Sequence, residues 1–322
     1  MMETGLICIV GPTASGKSAL AVALARALDG EVISADSMQV YRGMDIGTAK
    51  ITRQEMGGVV HHGLDLLEPQ DRYNAFFFQD FARRSISGVA ERGKTPILCG
   101  GTGLFVHSVL FAMAFTEAGE DQALRAQLAR EARERGPEAL HQRLQAVDPA
   151  SAARIHPNNV KRVIRALEVY ALTGKPMSSF DEGAFAEPEP LYRPLLWLGL
   201  ELPREELIRR IDRRVDAMIA AGLEQEARRL WEQGLRPETH TALQGIGYKQ
   251  FAPYFAGEAT LEQAVERIKI ETRQFAKRQM SWFKREKRIR WMDAAQLPQT
   301  LTAQALDLWG AEKKRLKNDD NG

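Results

Sequence analysis

The chain has 322 residues, 44% of them hydrophobic and 27% charged, which is the composition of a soluble globular protein with room for two domains. Its formal net charge of +2 excludes a global field that would by itself attract a polyanion. No apolar run could cross a bilayer, no signal peptide is recognisable, and Cys8 and Cys99 fit neither a disulfide framework nor a zinc site. We therefore expect a cytoplasmic protein with no membrane partner.

The first predicted strand, 6–10, leads into a glycine-rich loop and a predicted helix, 19–28. The loop matches G-x-x-x-x-G-K-[ST] and consists of Gly11, Pro12, Thr13, Ala14, Ser15, Gly16, Lys17 and Ser18. A strand, a glycine loop and a helix N-terminus direct backbone N–H groups at an anion. Lys17 adds a positive charge near the terminal phosphates, and Ser18 offers a hydroxyl to Mg²⁺. The pattern predicts a site for a di- or triphosphate, carried by a nucleotide or by another group.

Two more apolar runs, 31–35 and 96–99, predict buried strands with a helix, 76–88, between them. This order predicts a parallel sheet, in which ligands lie beyond the carboxyl ends of the strands. Asp36 and Thr102 each follow a strand, so we expect both to share one crevice with the glycine loop. Asp36 could act as a general base or hold Mg²⁺ through water, and Thr102 could donate a hydrogen bond. Capping of a turn or a helix is the structural alternative for both.

The pattern changes after residue 115. Charged, amphipathic stretches predict helices at 122–135 and 138–146, and 151–172 is a further helical region that Pro157 breaks early. A linker is predicted at 183–190 before a strand at 195–200. We therefore predict an α/β fold, a P-loop NTPase-like parallel sheet flanked by helices, with an all-helical insertion domain. The core would comprise 1–115 and 191–322, and the insertion 116–190.

The C-terminal part is predicted to contain two long helical regions, 204–233 and 261–287. The first carries Arg209, Arg210, Arg213 and Arg214, whose side chains could clamp a diphosphate or form a solvated, salt-bridged face. In the second, basic residues alternate with aromatic ones, a mixture suited to RNA phosphates and bases, although single rings could equally be core.

The motifs of the chain together resemble the bacterial tRNA dimethylallyltransferases, also called tRNA isopentenyltransferases. They are GPTASGKS (11–18), SADSMQVYRGMDIGTAK (34–50), HHGLDLLEP (61–69), GGTGL (100–104), ARIHPNN and KRVIRALEVY (153–170), RIDRRVDAMIAAGL (210–223), LQGIGYKQF (243–251) and TRQFAKRQMSWF (272–283). They occur in the family's order over most of the chain.

The resemblance implies transfer of a dimethylallyl group from dimethylallyl diphosphate to the exocyclic N6 amine of an adenosine. That adenosine lies 3′ of the anticodon in tRNAs that read codons beginning with U. By their places in the motifs, Asp36 would accept the amine proton and Thr102 would help to hold the base. Arg214, or alternatively Arg210, would contact the diphosphate, and Mg²⁺ on Ser18 would be the cofactor.

The resemblance also implies which residues face the tRNA anticodon stem-loop. They are Asp36, Ser37, Met38, Gln39, Arg125, Lys161, Arg162, Val163, Ile164, Arg165, Gln244, Gly245, Ile246, Gly247, Tyr248 and Lys249. The helical insertion would clamp the anticodon stem, and the target base would flip out of its stack. We expect a monomer.

Three other functions fit parts of this pattern. A small-molecule kinase would use ATP at the same loop, and a prenyltransferase acting on free adenine nucleotides would share the donor chemistry without needing an inserted clamp. A non-catalytic RNA-binding protein could retain an unused phosphate loop, but intact Lys17, Ser18 and Asp36 argue against that function.

Overall fold

Within the described residues, which are 4–113, 115, 119–180 and 189–319 of this computed structural model, six strands form one sheet. They are β1 (Leu6–Val10), β2 (Gly30–Ser34), β3 (His61–His62), β4 (Thr95–Gly100), β5 (Leu195–Glu201) and β6 (Arg290–Asp293). The order is β3-β2-β4-β1-β5-β6, and all neighbouring pairs are parallel. Every residue of the central β1 is buried, because helices cover both faces of a parallel sheet. The predicted P-loop NTPase-like α/β class is confirmed.

Helices connect and flank the strands. In chain order they are α1 (Lys17–Ala27), α2 (Arg53–Met56), α3 (Ala75–Glu91), α4 (Gly103–Leu110), α5 (Gln122–Arg135), α6 (Pro137–Val147), α7 (Pro149–Arg154), α8 (Val160–Thr173), α9 (Arg204–Ala220), α10 (Leu223–Glu232), α11 (Ala252–Phe255), α12 (Leu261–Phe283) and α13 (Pro298–Asp319). None of the helices in these described ranges has both the length and the apolar character needed to cross a membrane.

The chain divides into two compact units, Met1–Leu110 with Pro190–Gly322, and Phe111–Glu189. In the first unit, one face of the sheet packs against α1 and α13 through side chains such as Ile9, Leu24 and Trp309, all of them buried. The second unit begins a few residues before the predicted insertion. Residues 183–188 of the predicted linker lie outside the described residues.

The second unit has a hydrophobic core of its own. Helices α5, α6, α7 and α8 supply it, with Leu128, Leu140, Leu144, Val163 and Leu167 among its buried members. The helical region predicted over 151–172 is interrupted near Pro157, as expected: α7 ends at Arg154 and α8 begins at Val160. The unit is therefore a helical bundle built around one apolar cluster.

The helical region predicted over 204–233 consists of two helices, α9 and α10. Gly222 separates α9 from α10 with φ at 100°, a left-handed conformation that glycine adopts without strain. The structure also contains β3, β6 and α13, for which no strand or helix was predicted.

Candidate active site

The glycine-rich loop joins β1 to α1, as the motif predicted. Three of its residues have positive φ: Gly11 at 153°, Ala14 at 63° and Gly16 at 87°. A Cβ on Gly11 would lie 2.8 Å from the carbonyl oxygen of Leu200, so this position requires glycine. The left-handed Gly16 starts α1, whose first backbone N–H groups are therefore available to an anion. Nζ of Lys17 donates to the Pro12 carbonyl over 3.0 Å, which holds the ammonium beside the loop.

Asp36 and Thr102 follow β2 and β4, which are neighbours in the sheet. One oxygen of Asp36, Oδ1, accepts hydrogen bonds from the N–H groups of Met38, at 2.9 Å, and Gln39, at 3.4 Å. The N–H of Thr102 donates to the Ala35 carbonyl over 3.4 Å. The turn after β2 therefore fixes the carboxylate, and the backbone ties the two strand ends together.

Arg214 is the arginine of α9 that reaches the glycine loop, and its Nη1 donates to Oγ1 of Thr13 over 3.5 Å. Burial lowers the pKa of Arg214, and the negative charge of Asp36 opposes that shift. Burial is also the main cause that lowers the pKa of Lys17, with Arg214 lowering it further and Asp36 raising it. The two cations and the carboxylate border one small cavity.

Arg210, the alternative to Arg214, is held elsewhere. Its Nε donates to Oε1 of Glu206 over 2.8 Å, and Arg209 pairs with the same carboxylate. Arg210 lines none of the three cavities described below, whereas Arg214 lines all of them. The structure therefore brings Arg214 to the candidate site and leaves Arg210 on a salt-bridged surface.

Three cavities surround these groups. The large cavity, of about 760 Å³, is bordered by Lys17, Ser18 and Arg214. The middle cavity, of about 310 Å³, is bordered by Asp36, Thr102 and Arg214. The small cavity, of about 80 Å³, is lined by Lys17, Asp36 and Arg214. The predicted convergence is therefore present in the structure: residues of the phosphate loop border the small cavity together with Asp36, and the middle cavity together with Asp36 and Thr102.

Gln279 of α12 also takes part in the site, although its type and position gave no signal in the sequence. Its Oε1 accepts the N–H of Thr13 over 2.9 Å, and its Nε2 donates to the Gly101 carbonyl over 3.0 Å. A Cβ on Gly101 would lie 2.2 Å from that Nε2, which explains the glycine. A single buried amide thus joins the phosphate loop to the loop that carries Thr102.

Comparison with known proteins tests the family resemblance that the motifs indicated. A family model described as IPP transferase matches residues 39–286, and one described as Isopentenyl transferase matches residues 4–65. A tRNA dimethylallyltransferase of Geobacillus kaustophilus (strain HTA426) is 50% identical over 292 residues, 91% of either chain. The chain belongs to the IPP transferase family. The resemblance inferred from the motifs is therefore confirmed.

Solved structures of the family have the same fold as this IPP transferase. The full-length tRNA isopentenylpyrophosphate transferase of Bacillus halodurans matches with a TM-score of 0.73 and 41% identity, over 99% of this chain and 100% of that one. A eukaryotic dimethylallyltransferase described as acting on tRNA matches with a TM-score of 0.75 and 33% identity. That match covers 90% of this chain and 74% of the other.

The tRNA-facing residues predicted in the core of this IPP transferase fall into two groups. Ser37, Met38, Gln244, Ile246 and Lys249 line the middle cavity and are at least partly exposed, as is Gln39 at the small cavity. Gly245 and Gly247 are buried there, and a Cβ on Gly245 would lie 2.9 Å from Sδ of Met38. Tyr248 is only 2% exposed, and its hydroxyl donates to Oε1 of Glu226 over 2.7 Å. Tyr248 therefore has a partner inside the protein and no side-chain surface for RNA.

The predicted residues of the second unit also divide. Lys161 and Arg162 are exposed on α8, but Val163 and Ile164 belong to the hydrophobic core and present no side-chain surface. The helical period that points Lys161 and Arg162 outward turns the next two residues inward. The structure thus argues against side-chain contacts of Val163 and Ile164 with tRNA.

Arg125 and Arg165 share the fully buried carboxylate of Glu168. Their nitrogens lie 2.8 Å and 2.6 Å from its oxygens, and the N–H of Asp121 donates to Oε1 over 2.9 Å. Burial opposes ionisation of Glu168, but these partners hold the pKa of its carboxyl below the ordinary value. Both arginines remain partly exposed while they neutralise Glu168.

The predicted magnesium site would need some of its ligands from the substrate. Among the described residues, no three His, Cys, Asp or Glu side chains cluster as metal ligands. The hydroxyl of Ser18, at the start of α1, borders the large and small cavities, and Asp36 borders the small one. Mg²⁺ binds commonly through one or two protein groups together with phosphate oxygens. The residues present therefore fit a magnesium ion that is bound with a diphosphate.

Proposed function

We propose that this IPP transferase is a tRNA dimethylallyltransferase whose donor is dimethylallyl diphosphate. The observation that carries the proposal is the position of Asp36, which borders the small cavity together with Lys17 and Arg214 and the middle cavity together with Thr102 and Arg214. The carboxylate and hydroxyl beside the phosphate loop suit removal of a proton from an acceptor amine. The curated relative is named for this activity on tRNA.

In the reaction one bond breaks, one bond forms and one proton is transferred. The bond between C1 of the dimethylallyl group and the diphosphate oxygen breaks, and a bond forms between C1 and N6 of the adenosine. The proton of N6 passes to the carboxylate of Asp36, and diphosphate leaves as an anion. Thr102 orients the acceptor base by hydrogen bonding. The adenosine is the one 3′ of the anticodon, in tRNAs that read codons beginning with U, and it must leave its stack to reach the cavity.

Leaving-group charge is stabilised by the loop amides, by Lys17 and by Arg214. Donors fixed in a partly dehydrated site need no reorganisation as the charge grows, which is why such groups lower a barrier strongly. Mg²⁺, when bound at Ser18 with the diphosphate, would supply further neutralisation of that charge. The protein would act as a monomer in the cytoplasm.

Labelled dimethylallyl diphosphate tests the proposal directly. The full-length protein is incubated with the labelled donor and total unmodified tRNA, and separately with free adenine nucleotides or with labelled ATP and small acceptors. We expect label in tRNA, release of one diphosphate per group transferred, and no phosphoryl transfer from ATP. Label in free adenosine monophosphate in place of tRNA, or phosphorylation of a small acceptor, would contradict the proposal.

A second prediction concerns the exposed cations of α8. Replacing Lys161 and Arg162 together by Ala should weaken tRNA binding and reduce the slope of log affinity against log salt by about one to two, because each phosphate contact releases counterions. Filter binding across a range of salt concentrations measures that slope. Lys175→Ala removes an exposed cation of the same unit and should leave the slope unchanged. An unaltered slope in the double variant would exclude this surface from tRNA binding.

A further inference from the structure

The segment 43–50, called here the 43–50 loop, forms a wall of all three cavities. Ala49 lines each of them, Thr48 lines the middle and small ones, and Gly47 lines the middle one. Ala49 has φ at 48°, a left-handed conformation that is uncommon for a residue with a side chain. The shape of the site therefore depends on what holds this loop in place.

The carboxylate of Glu226 in α10 forms hydrogen bonds to the backbone of this loop. Its side-chain Oε2 accepts the N–H groups of Asp45, at 2.9 Å, and Ile46, at 3.0 Å, and its Oε1 accepts the N–H of Gly47 at 3.0 Å. The hydroxyl of Tyr248 donates to the same Oε1 over 2.7 Å. Glu226 is 5% exposed, and none of the ion pairs formed by the described residues includes it.

Four hydrogen bonds account for the acceptor capacity of a carboxylate, which has two oxygens and about four lone-pair sites. Three of the donors are consecutive backbone amides of the loop, so a single side chain fixes the path of three residues. Tyr248 completes the arrangement, because a Cβ on Gly47 would lie 2.5 Å from Cζ of its ring. The loop therefore packs against the buried ring of Tyr248 and bonds to the buried carboxylate of Glu226.

The loop is also bonded to the segment that carries Asp36. Nε2 of Gln39 donates to the carbonyls of Thr48, at 3.3 Å, and Ala49, at 3.4 Å. The backbone N–H of Gln39 in turn donates to Oδ1 of Asp36 over 3.4 Å. A displacement of the loop would therefore reach the carboxylate through one side chain.

We propose that Glu226 and Tyr248 are positioning residues that fix the 43–50 loop as a wall of the reaction cavity and thereby orient Asp36. The inference rests on the proposed transferase function. It gives Tyr248, which the family resemblance had assigned to tRNA contact, a role inside the protein.

Glu226→Gln tests the proposal with little change of size. The amide replaces an acceptor by a donor, so at least one N–H of Asp45, Ile46 or Gly47 loses its partner, which is costly for a buried group. We expect kcat to fall by about tenfold to a hundredfold, with the Kd for tRNA within about threefold of the wild type. Hydrogen exchange of the peptide that spans 43–50 should become faster.

Tyr248→Phe removes one hydrogen bond and keeps the ring, so its expected loss of kcat is smaller, about threefold to tenfold. Tyr248→Phe tests the proposal by itself if the Glu226→Gln protein does not fold. Glu232→Gln is the matched control, because Glu232 is exposed on the same helix and borders no cavity. Its kcat and its exchange should equal those of the wild type.

Each remaining outcome has one meaning. A weaker Kd for tRNA with unchanged kcat in Tyr248→Phe would overturn the proposal and return Tyr248 to the RNA surface. A lower melting temperature with unchanged kcat, KM and local exchange would show that Glu226 and Tyr248 contribute only to the stability of the fold. If the wild type transfers no prenyl group, the proposed function fails, whereas the exchange measurement still shows whether Glu226 holds the loop.

Discussion

Asp36→Asn should lower the single-turnover rate of prenyl transfer by about 10²–10⁴-fold, the usual range for loss of a general base. The amide keeps an oxygen that can accept the N–H groups of Met38 and Gln39, so the turn after β2 is retained. It cannot take the proton of the attacking amine. Rapid quench of saturating enzyme with labelled donor and tRNA measures the step without product release.

The same variant should bind tRNA within several-fold of the wild type, because the proton is transferred only in the transition state. Asp80→Asn, which removes an exposed carboxylate on α3, controls for the loss of one negative charge and should react at the normal rate. Asp36→Ala should be as slow as Asp36→Asn. A normal single-turnover rate in either Asp36 variant would remove this residue from the mechanism.

The buried strands of the sheet were predictable from the sequence for a physical reason. Parallel strands covered on both faces consist of continuous apolar residues, and 6–10, 96–99 and 195–200 are runs of that kind. β3 and β6 lie at the edges of the sheet and contain His61–His62 and Arg290–Asp293, where no apolar run exists. Their place in the sheet depends on neighbouring strands and not on their own composition.

The convergence of Asp36 and Thr102 was predictable because both follow strands of one parallel sheet. The roles of Gln279 and Glu226 were not predictable, since their partners lie far away in the sequence. Gln279 bonds to Thr13 and Gly101, and Glu226 bonds to the 43–50 loop. No local pattern distinguishes a Gln or Glu on a helix that faces solvent from one whose amide or carboxylate is buried. Only the packing of α10 and α12 shows the difference.

The family motifs do not distinguish buried side chains from exposed ones. They predict tRNA contact for whole segments, yet a helix that points Lys161 and Arg162 outward must turn Val163 and Ile164 inward. Tyr248, which the motifs also place at the tRNA, is buried as well, and a motif does not state which of its side chains are buried. The tRNA contacts still predicted on each unit are those of its exposed polar and charged residues.

Arg214→Ala and Lys17→Ala should each lower kcat/KM for dimethylallyl diphosphate by about 10²–10³-fold, the range seen when one donor to a developing anion is removed. Both cations border the large and small cavities and are partly dehydrated, so water replaces them poorly as the diphosphate charge grows. Arg210→Ala is the matched control. Its partner is Glu206 and it lines none of the three cavities, so donor kinetics should change by less than about threefold.

Arg214→Lys separates charge from geometry at this position. A lysine keeps the positive charge but lacks the planar fork that can make two hydrogen bonds to a phosphate, so partial recovery is expected. Lys17→Arg should recover less, because the compact ammonium donates to the Pro12 carbonyl, 3.0 Å away, and a planar guanidinium does not reproduce that contact. If Arg210→Ala were slow and Arg214→Ala normal, the cation that binds the leaving group would be Arg210, and α9 would have to turn to present it.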